Sequence, residues 1–116
     1  MKKYKILLID NNNNRRMQIT SLLNCHNDCC VDPRGEISKH DLEQGSYDVI
    51  IVHLGNNPEH GCIENEEWDT GRAKVVSFSG GHSQLESSYE DILYVRPDYF
   101  ESKDNVRKLL KGASAV

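Results

Sequence analysis

Two unbroken apolar runs constrain this chain more than anything else in it. Residues 4–9 read "YKILLI" and residues 47–52 read "YDVIIV", and neither alternates apolar with polar. A strand wet on one face alternates; a continuous run needs cover on both faces, as strands inside parallel sheets have. Weaker β-type runs follow the same plan: "CCVD" (29–32), "AKVVSFS" (73–79) and "DILYV" (91–95). Between them lie helical patterns. Residues 13–23 carry Met17, Ile19 or Thr20, Leu22 and Leu23, residues 36–44 carry Ile37 and Leu42, and residues 100–111 carry Phe100, Val106, Leu109 and Leu110. Residues 58–70 suggest a ragged helix with Ile63 and Trp68, and residues 82–89 at most a short one. Strands alternating with helices predict right-handed crossovers and an open parallel sheet with helices on both faces.

The tract "NNNN" (11–14) sits at the first strand-to-helix junction. Asparagine caps helices and makes turns, so the tract ends the strand and starts the helix. Four residues are too few for a low-complexity segment.

A chain of 116 residues suits one domain able to bury a core. Its 18 acids outweigh 14 Lys and Arg, for a net charge of −4. That balance argues against nucleic acid as the main partner, although Lys103, Arg107, Lys108 and Lys111 gather near the C-terminal end. No apolar run reaches the roughly 18 residues of a membrane span, and no basic-then-apolar leader opens the chain. A cytoplasmic protein with no membrane partner is expected. The four cysteines are then free thiols. "CHNDCC" places Cys25, His26, Cys29 and Cys30 together, with Cys62 apart. Its spacing lacks the paired half-sites of structural zinc, which favours small half-buried thiols over a metal site and leaves redox sensing open.

Four of these strands end in a polar residue: Asp10, His53, Ser79 and Arg96. Ligands of open parallel sheets bind at such carboxyl ends. These four, in this order, carry a resemblance. "LLIDNNNNRR" is similar to the acidic first-strand signature of bacterial response-regulator receiver domains. "YDVIIVHLGNNPEHG" resembles the family's phosphoacceptor segment, including Pro58 and Gly61. "KVVSFSGG" and "ILYVRP" stand where the family has a strand ending in Ser or Thr and then a Lys-Pro pair. The resemblance spans nearly the whole chain. It implies a flavodoxin-like α/β three-layer sandwich with a five-stranded parallel sheet. The interval from Ser79 to Arg96 is short for the family, so the fourth helix is expected to be shortened or lost. Residues 1–116 then form a single receiver-like domain with no output domain.

The family's reaction is Mg²⁺-dependent phosphoryl transfer to an Asp, and the matching positions here are degenerate. Asp10 keeps the first acid, Asn11 replaces the second, His53 stands at the acceptor position, Ser79 keeps the hydroxyl and Arg96 replaces Lys. Mg²⁺ wants hard oxygen ligands, and imidazole cannot form an acyl phosphate. The resemblance thus implies a pseudo-receiver: not an enzyme, holding no cofactor, and acting by protein–protein contact.

Three readings of His53 stand side by side. It fills the vacated pocket and hydrogen-bonds Asp10 with Arg96 nearby; it binds a transition metal or small ligand with Asp10, His60 or His82; or it accepts phosphate or serves as base in a Ser79–His53–Asp10 triad. Gly80 and Gly81 form a turn or an anion-binding nest. Receivers signal and dimerise through the fourth helix, fifth strand and fifth helix. The matching surface here comprises Tyr94, Tyr99 and Arg107, with Phe100, Val106 and Leu110 either on it or in the core. The resemblance implies a signalling protein partner or a homodimer there.

Overall fold

The computed structural model describes residues 4–26, 28–35, 47–53, 73–79, 86–89 and 92–114. In chain order these form β1 (Tyr4–Ile9), α1 (Asn13–Asn24), β2 (Cys29–Arg34), β3 (Val49–His53), β4 (Lys74–Phe78), β5 (Glu86–Tyr89), β6 (Ile92–Val95), a 3-10 helix (Pro97–Glu101) and α2 (Lys103–Ser114). The strands make one sheet in the order β2-β1-β3-β4-β6-β5. All neighbours are parallel except β5, which runs antiparallel to β6 at the edge. The expected five-stranded parallel sheet is therefore present, with one strand added. The helices expected at residues 36–44 and 58–70, and the turn at Gly80 and Gly81, lie outside the described residues.

Both apolar runs occupy the centre of the sheet, and both faces of them are buried. On one face Ile6, Leu8, Val49, Ile51, Val76 and Phe78 pack with Ile19 and Leu23 of α1 and Val106, Leu109 and Leu110 of α2. On the other, Leu7, Ile9, Ile50 and Val52 form a second cluster, each at most 2 % exposed. Burying one such side chain contributes about 1.5–3 kcal/mol, which is why unbroken runs end up here. Pro33 lies within β2 without breaking a ladder on both sides, because β2 is an edge strand.

Two expectations need correction. Residues 86–89 are a strand, not a helical turn: Tyr89 pairs with Ile92, so only two residues separate β5 from β6, the length of a tight hairpin. The last helix starts at Lys103 rather than Phe100. Pro97 opens a 3-10 helix, and Ser102, extended at φ −95° and ψ 121°, interrupts the chain before α2. The Ser102 hydroxyl accepts from the Asn105 N–H at 3.3 Å, a capping bond.

Candidate functional site

The asparagine tract works as its chemistry requires. Asn12 is the N-cap of α1, and its side chain accepts from the Arg15 N–H at 2.9 Å. Asp10 stands two residues earlier, at the carboxyl end of β1, and is fully buried. Helical side chains tilt toward the N-terminus, so the third helical residue, Arg15, folds back over the strand end. Its Nε donates to Asp10 Oδ2 at 2.7 Å and its Nη2 to Oδ1 at 2.6 Å. The backbone N–H of Asn12 donates to the same carboxylate at 3.0 Å. Arg16 adds a bond from Nη1 to the Asp10 carbonyl at 2.7 Å. The first turn of α1 has no acid of its own. Asp10 supplies negative charge there, where the helix dipole favours it.

Arg15 continues into an aromatic group. Its guanidinium carbon lies 5.8 Å from the Phe78 ring centre. His53 tilts against that ring at 5.3 Å and 58°, and Phe100 meets it edge-on at 6.0 Å. Asp10, Arg15, Phe78 and His53 thus fill the space above β1, β3 and β4 on the α1 side of the sheet.

Of the expected pocket residues, the register does bring the strand ends together. Ile9 pairs with Val52 and Phe78 with His53, while the Ser79 N–H donates to the Val95 carbonyl at 3.1 Å. Strand alternation then divides the side chains. Asp10 and His53 continue the α1-side positions Ile6, Leu8, Val49 and Ile51, whereas Ser79 and Arg96 fall opposite to Phe78 and Val95. Among the described residues, the carboxylate partners of Asp10 are Arg15 and the Asn12 backbone, so two expectations fail. His53 is not its hydrogen-bond partner, which removes the second link of a Ser79–His53–Asp10 relay. Arg96 does not reach it either: its Nε stands 3.6 Å from Asp98, on the solvent side. Asn11 is exposed. Arg15 and Phe78 are the site residues that sequence reasoning missed.

The "CHNDCC" segment spreads out rather than converging. Cys25 and Cys30 are exposed and Cys29 is buried. Cys29 and Cys30 are consecutive in β2 and point to opposite faces. Among the described residues no three His, Cys, Asp or Glu side chains are grouped to hold a metal; His60, His82 and Cys62 lie outside them. Burial, with Asp28 adding a smaller effect, pushes the Cys29 thiol up to about 11 from an ordinary 9.0. At neutral pH that leaves on the order of 100-fold less thiolate than an ordinary cysteine has. Iodoacetamide followed by peptide mapping should label Cys25 and Cys30 well before Cys29. Equal labelling would contradict the buried placement of Cys29.

No family model and no curated protein matches this sequence. Its backbone does match solved structures. The response regulator ChrA of a heme-sensing two-component system superposes with a TM-score of 0.64 at 12 % identity, over 97 % of this chain and 57 % of that one. The BeF3-activated receiver domain of DrrB gives a TM-score of 0.58 at 16 % identity, over 94 % and 98 %. The chain has the receiver-domain fold. It spans a little over half the length of ChrA.

Within that receiver fold the expected interaction surface needs revision. Tyr99 is 1 % exposed, and its hydroxyl donates to the Asn105 carbonyl at 3.2 Å. Phe100, Val106 and Leu110 are core as well. These side chains, on either side of the extended Ser102, are all buried. Tyr94 is half-buried and Arg107 is exposed, 3.8 Å from Asp104. Among the described residues no helix is long and apolar enough to cross a membrane.

Proposed function

We propose that this chain is a phosphorylation-independent pseudo-receiver, a cytoplasmic signalling module that acts by binding another protein and has no catalysis of its own. The observation that carries the reading is the Asp10–Arg15 pair. The one carboxylate at this end of β1 already has a guanidinium on both oxygens, at 2.6 and 2.7 Å. Such a fork is a strong charge-assisted contact. Mg²⁺ would have to displace it and shed water for a single acid, and Mg²⁺ dehydrates reluctantly. His53 at the phosphoacceptor position supports the same reading, since imidazole forms no acyl phosphate. A receiver whose pocket is held by its own arginine keeps one conformation and presents one surface.

The test is incubation with Mg²⁺ and acetyl phosphate followed by intact-mass measurement. The mass is expected to stay unchanged. A hydroxylamine-labile phosphoryl adduct would overturn the reading.

A further inference from the structure

The sheet has two edges, and they are not alike. β2 closes one of them and carries Pro33, which has no N–H to offer a further strand. β5 closes the other with Glu86, Ser87, Ser88 and Tyr89, which include neither proline nor lysine. Natural sheets use such residues to keep unwanted strands away, so the β5 edge is the undefended one. Its four residues are short enough to limit edge-to-edge aggregation.

β5 pairs antiparallel with β6, from Glu86 opposite Val95 to Tyr89 opposite Ile92. In an antiparallel pair alternate residues exchange both backbone bonds with the partner strand. Those between them turn N–H and C=O to the other side. Among the described residues nothing pairs with that outer side of β5. The formal charge of the surrounding sequence has one sign. Residues 75–95 contain Glu86, Glu90 and Asp91 and neither Lys nor Arg, although the whole chain has 14 of these cations.

We propose that the outer edge of β5 accepts an extended, Lys- or Arg-bearing segment of another protein as one more strand of the sheet. In strand addition of this kind main-chain hydrogen bonds supply the affinity. The acids within residues 75–95 supply the preference for a basic segment and speed its encounter. The contact uses backbone at the sheet edge and no helix face. The inference rests on the reading that the domain works by binding, and it names the chemistry of the partner.

Fluorescence anisotropy of short labelled peptides titrated with the full chain tests this. A peptide alternating Lys with Val should bind at least about tenfold more tightly than one alternating Glu with Val, about 1.4 kcal/mol. Its binding should weaken as salt rises. Lys alternating with Pro keeps the charge but lacks every second backbone donor, so it should not bind. Amide hydrogen exchange of the complex should show new protection in residues 86–89. Glu86→Lys should weaken binding of the Lys–Val peptide by about fivefold. No binding of that peptide overturns the proposal, as does binding indifferent to Glu86→Lys. Equal binding of the Glu–Val or Lys–Pro peptide overturns it too, as does protection placed in β2 or α1 instead. A chain that dimerises through β5 and binds no peptide assigns the edge to a second copy, and equally overturns it. None of these outcomes alters the acetyl phosphate result, so a failure here is separable from a failure of the pseudo-receiver reading.

Discussion

Arg15→Ala should lower the stability of this domain by about 3 kcal/mol, the low end of what breaking a buried ion pair costs. The reason is an asymmetry in burial. Asp10 is 0 % exposed and Arg15 30 %, so removing the arginine leaves a buried carboxylate without its guanidinium partner. The backbone N–H of Asn12 remains as its one carboxylate donor among the described residues. For a domain of this size the melting midpoint should fall by roughly 10–15 °C. The reverse change is expected to be milder. Asp10→Ala frees a guanidinium that can turn outward, and should cost roughly 1.5 kcal/mol, the scale of a lost charge-assisted bond. Thermal melts of the two variants check the order. A larger loss for Asp10→Ala would mean that the arginine, not the acid, is the trapped charge.

Phe78→Ala is expected to be at least as costly, about 3–5 kcal/mol. The ring is fully buried at the carboxyl end of β4 and touches Phe100, His53 and the Arg15 guanidinium. Its loss opens a cavity and removes the surface on which Arg15 is laid. Phe78→Leu keeps most of the apolar volume and should cost much less. Urea unfolding of both variants separates the two contributions. If Phe78→Leu proves as damaging as Phe78→Ala, the aromatic contacts outweigh the volume.

The sheet was legible because its information is local. "YKILLI" and "YDVIIV" declare strands buried on both faces without reference to anything distant, and "NNNN" marks a strand end and a helix cap by backbone chemistry alone. The 3-10 helix at Pro97 was hidden, since Phe100 satisfies an apolar helical pattern whether or not Ser102 interrupts it. The hairpin at residues 86–92 was hidden for another reason. "ESSY" has little apolar content, and an edge strand needs little.

The site was legible in place but not in pairing. The strand ends that gather Asp10, His53, Ser79 and Arg96 follow from parallel register. Which side chains meet there depends on strand alternation carried past each terminus, and that count sets Ser79 and Arg96 apart from Asp10. Arg15 had a readable signal. A strand-end acid two residues before an N-cap lies within reach of the third helical residue, and here that residue is an arginine. Resemblance drew attention to Arg96 instead, because it stands where the receiver lysine does.

A double-mutant cycle on Asp10 and Arg15 by chemical denaturation tests the central claim, that the chain's own arginine holds the strand-end carboxylate. The account predicts a coupling of about 1.5–3 kcal/mol, with the double variant clearly more stable than the two single losses would sum to. Additivity to within about 0.5 kcal/mol would contradict it, because independent residues behave that way.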